Sequence, residues 1–439
     1  MIFYIEPNRP FTNPAKWFVA FLAHHLRTDL VLTDKYTEGA LKITDEADSD
    51  VPIALSFYNK IDKSIFNHQL HFNTEPLILT ADGLVDYIAT IFYMVNCLQE
   101  YAATDNALDK YKRFRYEDSY QSRFGTIRDN TVADLIEKFV ETMPLQLRNE
   151  IPITSGRGVY LKKTTRPSQV FLTHDIDSLY SSFFQDGLWA IKIGRFDVLI
   201  RLIINELSRK PAYFNIDKML NIHSEYHIKS TFFWIAAQGR SEDGIKNADY
   251  DLKNKRVQQN LLATSEKGFD IGLHKSSLNS SFEEEFGRLP MAHIKANRYH
   301  FLRFQLPDAW QTMADAGVQL DASLGFASQY GFRNGYGMPF RPYDFRTGAA
   351  MPLVVTPLNI MDGTLNGYMG IPEADILKHI LDFFEKNKQN CTLGLLWHNT
   401  EFSEFRYAHY LKIYREILKY IVESKIKTVK ATDILKTFE

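Results

Sequence analysis

Cysteine is scarce in this chain of 439 residues: there are two, Cys97 and Cys391, each inside an apolar segment. That excludes a disulfide framework and any cysteine-based metal motif, and it fits a reducing compartment. An excess of one charge is also missing. Lys and Arg number 51 against 53 Asp and Glu, a net −2, so neither nucleic acid nor an anionic membrane is an electrostatic expectation. No run of about 18 apolar residues occurs, so no transmembrane span is expected. The opening MIFYIEPNRPFTNPAKWFVAFLAHHL lacks a basic stretch, a clean apolar core and a small-residue cleavage site, and a cytoplasmic location is expected. Low-complexity tracts are absent. Aromatics are plentiful, with 32 Phe and 23 Tyr, enough for a generous core and for stacking on sugars.

The length exceeds what one ordinary core accommodates, so two domains are expected. Residues 1–160 read as a smaller α/β accessory domain. WFVAFLAHHL after a Pro-rich start is an amphipathic helix, with His24 and His25 on its face. VPIALSFYN (51–59) and HFNTEPLIL (71–79) read as short strands, GLVDYIATIFYMVNCLQEY (83–101) as a buried helix, and ADLIEKFVETM (133–143) as a one-sided helix. The Gly-, Lys- and Pro-bearing GRGVYLKKTTRPSQ (156–169) marks the boundary.

Beyond it, apolar strands alternate with helical stretches: VFLT (170–173), STFFWIA (230–236), FDIGL (269–273), VQLDAS (318–323), PLVVTPL (352–358), TLGLLW (392–397) and IKTVKA (426–431). Alternation of this kind implies parallel β/α units, and seven or so in one domain imply a barrel, residues 161–439, with chemistry at the strand ends.

At those ends stand the informative residues. FLTHDIDS (171–178) places Asp175 and Asp177 behind an apolar run, two positions apart and so on one side of an extended strand. Two carboxylates aimed at one point repel unless a cation or proton lies between them, although a strand end capping the next turn accounts for them equally when taken alone. FDIGL ends in His274, NRYHFLRF (297–304) carries Arg298 and His300, VQLDAS delivers Asp321, and TLGLLW ends in His398. Each alone has a structural explanation; together they form a set. Asp with His is the ligand set of Zn²⁺ or a similar divalent ion with positions open to water. A second carboxylate beside that water takes its proton, an Arg orients that base, and a distal His paired with an acid donates to a leaving group.

From about residue 165 onward the chain resembles the polysaccharide deacetylase (NodB-homology, carbohydrate esterase family 4) superfamily. Specifically, it is similar to a bacterial branch joining such a domain to an uncharacterised N-terminal domain. The motif T-F-D-D corresponds to Thr173-His174-Asp175-Ile176-Asp177, spread by one residue. KSTFFWI (229–235) and GFDIGLHKS (268–276) are similar to the family's second strand and its metal-histidine strand. NRYHF (297–301) stands where the family has R-x-P-Y/F, and DASLGF (321–326) and LLWHN (395–399) match the fourth and fifth motifs. IFYMVNCLQEY (91–101) and KYKRF (110–114) resemble the branch's N-terminal half.

The resemblance implies a distorted (β/α)7-type barrel and a carbohydrate substrate bearing an N- or O-acetyl group. It also implies a divalent ion, Zn²⁺ foremost. Asp175 would be the general base, oriented by Arg298; Asp177 and His274 would be metal ligands; His398 would be the general acid, tuned by Asp321. The family's second histidine, four residues after the first, is here Leu278. His300, in place of the family's proline, is the replacement expected, with Ser276 and Asn279 as weaker donors. The split motif leaves open which aspartate is base and which is ligand. Two other functions stand beside deacetylation: hydrolysis of other non-peptide C–N bonds on a small substrate, and carbohydrate binding by a barrel that has lost its metal.

Overall fold

The computed structural model describes residues 1–46, 48–61, 77–144 and 166–439. The N-terminal part builds a small parallel sheet from β1 (Ile2–Ile5), β2 (Val31–Thr33) and β3 (Leu41–Ile43), with β1 central. Around it lie helices Thr12–Leu26, Leu55–Ile61, Tyr87–Val95 and Thr131–Thr142. The helices expected over 83–101 and 133–143 are present, the first shortened to Tyr87–Val95 with a separate buried turn at Leu98–Glu100. The strand expected over 51–59 is instead a helix from Leu55, whose Phe57, Tyr58 and Ile61 turn to the core. Asp86 explains the switch, because its buried carboxylate accepts the Ala54 N–H (2.7 Å) and the Tyr58 hydroxyl (3.3 Å) and holds that segment against the next helix. Of the strand expected over 71–79, residues 71–76 lie outside the described residues; Leu79 makes one bridge to Val85. Most of the expected boundary segment also lies outside them.

The rest is a barrel whose strands read as near-continuous apolar runs because both faces are buried. In chain order they are β4 (Gln169–Ile176), β5 (Thr231–Ile235), β6 (Asp270–Lys275), β7 (Ala296–Tyr299) and β8 (Leu320–Leu324). A small antiparallel hairpin follows, β9 (Tyr343–Asp344) with β10 (Ala349–Ala350). Then come β11 (Val354–Pro357), β12 (Ile360–Met361), β13 (Thr392–Leu396) and β14 (Lys427–Val429). The large sheet runs β11-β8-β7-β6-β5-β4-β13-β12, all pairs parallel. Its two ends are successive pieces of one chain segment, so β11 on β8 and β12 on β13 close the ring. Seven staves result, as the resemblance implies.

Asn359 seals the junction: its N–H donates to the Gly394 carbonyl (3.0 Å) and its side-chain oxygen accepts the Gly394 N–H (2.8 Å). A Cβ at Gly394 would lie 2.1 Å from the Pro357 carbonyl oxygen, so only glycine lets the strands approach there. β7, only four residues long, was not an expected strand, yet it is a stave. β14, which was expected, is a side strand on the lower edge of β4. A compact apolar cluster of Phe171, Phe233, Ala296, Leu320 and Val354 packs with Ile434 of the C-terminal helix. This filled layer leaves the opposite, C-terminal ends of the strands for polar groups.

The N-terminal part and the barrel share one apolar core. They are also joined by a fully buried ion pair in which the Arg333 guanidinium grips the Glu100 carboxylate at 2.9 and 2.6 Å.

Candidate metal centre and catalytic cavity

A cavity of about 260 Å³ opens at the C-terminal ends of the strands, lined by Asp175, Asp177, His274, His300 and His398 among others. The neighbouring His174 faces the other way. Its Nδ1–H donates to the Trp397 carbonyl (2.7 Å) and its Nε2 lies 3.2 Å from His223, in the buried layer between barrel and helices. Strand alternation thus sorts the first motif as expected, with the two aspartates on the cavity and the histidine behind it. The loop after Asp177 is fixed by Asp249, whose carboxylate takes the hydroxyls of Ser178 and Ser181 and the N–H groups of Leu179 and Tyr180, at 2.5–3.0 Å.

Donor atoms of Asp177, His274 and His300 all lie within 4.8 Å of one another. His274 stands 3.2 Å from Asp177 and 3.4 Å from Asp175 through Nε2. Its Nδ1–H donates to the Arg298 carbonyl (3.0 Å), a neighbour in register on β7, which turns Nε2 to the cavity. Burial opposes charge on this ring, but Asp175 and Asp177 raise its pKa, so Nε2 carries a proton that a bound cation would displace. His300 presents Nε2 at 3.9 Å from Asp177, with Nδ1 toward the Asn247 side-chain oxygen at 3.4 Å. Burial pushes the His300 pKa down to about 3, so the ring is neutral, the form that ligates a metal. Burial acts to raise Asp177, but hydrogen bonding and charge from His274 outweigh it and hold the carboxylate well below the usual range.

One buried oxygen of each aspartate is thinly partnered: Asp177 Oδ1 has only His274 Nε2 beside it at 3.2 Å, and Asp175 Oδ1 only the Arg298 guanidinium at 3.6 Å. A buried Asp177 carboxylate beside the ring nitrogens of His274 and His300 is a donor set short of a cation, and the residues fit a divalent ion. Ser276 does not compete for it, because its hydroxyl donates to Glu285 (2.5 Å). Asn279 and Leu278 line a separate cleft beyond His300.

Arg298 is buried, its guanidinium over the Phe233 ring (5.0 Å) and 3.6 Å from the Asp175 carboxylate. His398, on the other side of Asp177 at 3.8 Å, is held by a residue the sequence reading did not single out. Asp362 accepts from the His398 ring Nδ1–H (2.7 Å) and backbone N–H (2.5 Å). Burial opposes charge on this imidazole, but the Asp362 charge and hydrogen bond prevail and raise its pKa well above the usual histidine value.

The partner expected for His398 was Asp321, and the structure corrects this. Asp321 is one step along β8 from the core-facing Leu320 and Ala322 and does not line the cavity. Its carboxylate instead accepts from Ser323, at 2.6 Å from the hydroxyl and 3.1 Å from the N–H. Burial pushes its pKa up to about 6, and Arg298 is the cation acting on it. Asp362 was legible by the same strand-end rule. PLVVTPLNIMD continues as β11 and β12, and Asp362 is the residue after the last strand position.

Two further cavity residues were missed. Glu401 carries a carboxyl that burial, then the Asp362 charge, raises well above the usual carboxylate value. Arg113, from the N-terminal part, donates to the Phe301 carbonyl (2.9 Å) and is held by Asp109. It thereby braces the turn after His300, where Phe301 (φ 59°) and Leu302 (φ 52°) adopt left-handed backbone that bulky residues rarely accept.

No protein-family model matches the chain. No curated protein matches it at the sequence level. Among solved structures it is similar to a Mycobacterium smegmatis protein assigned as a polysaccharide deacetylase (TM-score 0.41, 13% identity, 65% of this chain and 92% of that one). It is also similar to the PuuE allantoinase (TM-score 0.39, 11% identity, 65% and 98%). A third is the chitin deacetylase of the fungus Colletotrichum lindemuthianum (TM-score 0.31, 10% identity, 61% and 88%). At such TM-scores these likenesses carry none of the functional argument, which rests on the side chains of the cavity. No helix among the described residues is long and apolar enough to cross a membrane.

Proposed function

We propose that the chain is a metal-dependent hydrolase that removes an acetyl group from a carbohydrate. One observation carries this reading: a three-donor metal set, a separate carboxylate backed by a buried Arg, and a carboxylate-bound His converge on one cavity. The resemblance in motif order supports the carbohydrate as substrate.

Asp177, His274 and His300 would hold a divalent ion, with Zn²⁺ suited to the mixed carboxylate and imidazole donors. When bound, it supplies Lewis acidity toward the acyl carbonyl and toward a water. The remaining chemistry belongs to the chain. Asp175, facing Arg298, accepts the proton of the attacking water. His398, charged through Asp362, donates to the departing amine or alcohol, since an amide anion is too basic to leave unprotonated. Glu401, whose carboxyl burial and the Asp362 charge bias toward the protonated form, is placed to donate a hydrogen bond to a substrate hydroxyl or carbonyl. The N-terminal part, residues 1–160, acts in this reading as a brace for the turn after His300 through Arg113.

The test combines elemental analysis of protein purified without added metal with acetate release from a panel of N- and O-acetylated sugars. About one divalent ion per chain and release that stops on chelation are expected. Bound metal with ammonia or ring-opened product from small cyclic amides, and no acetate, would assign the other C–N hydrolase reading. Sugar binding without metal or release would assign a non-catalytic barrel.

A further inference from the structure

Nearly half of the exposed large apolar side chains among the described residues sit on one helical hairpin, which gives no residue to the cavity lining. Helix Ser182–Lys192 turns through Gly194 (φ 74°) into helix Phe196–Leu207. The inner faces are packed: Ala190, Val198 and Leu202 are buried, with Phe405 against them. Opposite that packing lies a second apolar stripe. On the first helix it is Phe184, Leu188 and Ile191, spaced by four and three. On the second it is Phe196, Ile200, Ile203, Ile204 and Leu207, from 41% exposed at Ile203 to 80% at Leu207. Ile193 extends it across the turn. Helical spacing makes this a continuous surface and not scattered exposure.

The charges around it have one sign in excess. Lys192, Arg195, Arg201, Arg209 and Lys210 are exposed, whereas the hairpin's own outward acids are Asp197, paired with Arg195 at 2.7 Å, and Glu206. The neighbouring Glu404, which faces Arg201, is itself paired with Lys218. Asp186 points inward to the Tyr213 hydroxyl (2.7 Å) and the Ser403 hydroxyl (2.8 Å). The chain as a whole carries −2, so this face reverses the sign of the molecule.

We propose that the hairpin is an interfacial anchor, laying its outer stripe into the headgroup boundary of an anionic membrane while the flanking cations meet lipid phosphates. An apolar face with a Lys- and Arg-rich border is the pattern of helices that lie in that interface without spanning it. A second copy is the poorer occupant, because self-pairing about a twofold sets the same cationic border against itself. The hairpin follows Asp177 directly, at the cavity end of β4, and its Asp186 is tied to the loop beyond His398. Docking therefore keeps the cavity end of the barrel at the bilayer. The anchor stands on this surface alone and does not depend on the hydrolase reading.

The experiment is co-sedimentation of the full chain with vesicles of phosphatidylcholine alone or mixed with phosphatidylglycerol, with the oligomeric state read by light scattering. Binding to the phosphatidylglycerol vesicles is expected, weakening as salt rises. Leu188→Asp with Ile200→Asp should reduce partitioning tenfold or more, and Arg195→Glu with Arg201→Glu should abolish the preference for anionic lipid. An unchanged thermal transition in each variant shows that the fold is intact. Vesicle binding that survives both double variants overturns the proposal. So does failure to bind any vesicle, whether the chain is a monomer or a dimer that Leu188→Asp dissociates; the dimer would assign the face to a second copy.

Discussion

Asp362 holds His398 twice, one carboxylate oxygen on the ring Nδ1 and the other on the backbone N–H of the same residue. Ring orientation, tautomer and charge are therefore set by a single side chain that is itself buried. A free imidazole titrates near neutrality, and burial would drive this one neutral; the carboxylate reverses that direction.

Asp362→Asn should therefore lower the pKa of His398, moving the alkaline limb of the kcat profile to lower pH. It should also reduce kcat by roughly 10²-fold or more with metal retained. Asp321→Asn should leave that limb in place. A limb that moves with Asp321 and not with Asp362 would return the tuning role to the β8 residue.

His274→Ala should remove most of the bound metal, and His300→Ala should weaken it, as measured by metal content after dialysis. The aspartates should separate: Asp175→Asn stops acetate release and keeps the ion, whereas Asp177→Asn loses the ion. Both expectations follow from the convergence of donors on Asp177, His274 and His300, with Asp175 turned toward Arg298. The reverse pattern for the two aspartates would mean that the split motif is used in the opposite order.

Much of this site was readable because strand ends are positional signals. Asp175, Asp177, His274 and His398 each follow an apolar run, Arg298 and His300 stand in NRYHF, which the resemblance singled out, and the barrel brings them together. Asp321 follows one too, yet it faces the wall, since a side chain's face depends on register within the strand and run length does not fix it. Asp362 obeys the same strand-end rule but was passed over, because the expected strand stops at Leu358 and the bend at Leu358-Asn359 sets off the second short strand that Asp362 follows. Arg113 was out of reach: a contact across 188 positions leaves no trace in local spacing. The cationic border of the hairpin was masked by a whole-chain charge close to zero. Local distribution, not the total, decides what a surface attracts.

Arg113→Met keeps length and packing but deletes the donor to the Phe301 carbonyl. The turn carrying Phe301 and Leu302 at positive φ then loses its brace, and His300 should lose its fixed position. Metal affinity should fall severalfold while His274-dependent binding persists, so Arg113→Met combined with His300→Ala should be no weaker than His300→Ala alone. Equal, additive losses in the double variant would show that Arg113 acts on something other than His300.

The buried pair His174 and His223 should contribute to the loss of stability in acid, beside His25 and His300, which burial lowers in the same way. Burial pushes the folded pKa of His174 down to about 3 and that of His223 well below its ordinary value of 6.5. Well above the unfolded value of 6.5 both folded and unfolded chains hold them neutral, and this contribution does not change with pH. As pH falls below 6.5, the unfolded chain takes up protons that the folded chain refuses, so stability is lost through that window. Each such imidazole costs about 1.4 kcal/mol at one pH unit below its unfolded pKa. Asp86 and Asp321, both raised to about 6 by burial, act oppositely, because the folded chain protonates them first. The measurement is therefore a difference: urea midpoints of the native chain and of His174→Phe, each at pH 7 and pH 5.5. The variant should start less stable, having lost the bond to the Trp397 carbonyl, and should then lose about 1.4 kcal/mol less on acidification. Parallel losses in the two proteins would mean that His174 is already protonated in the fold.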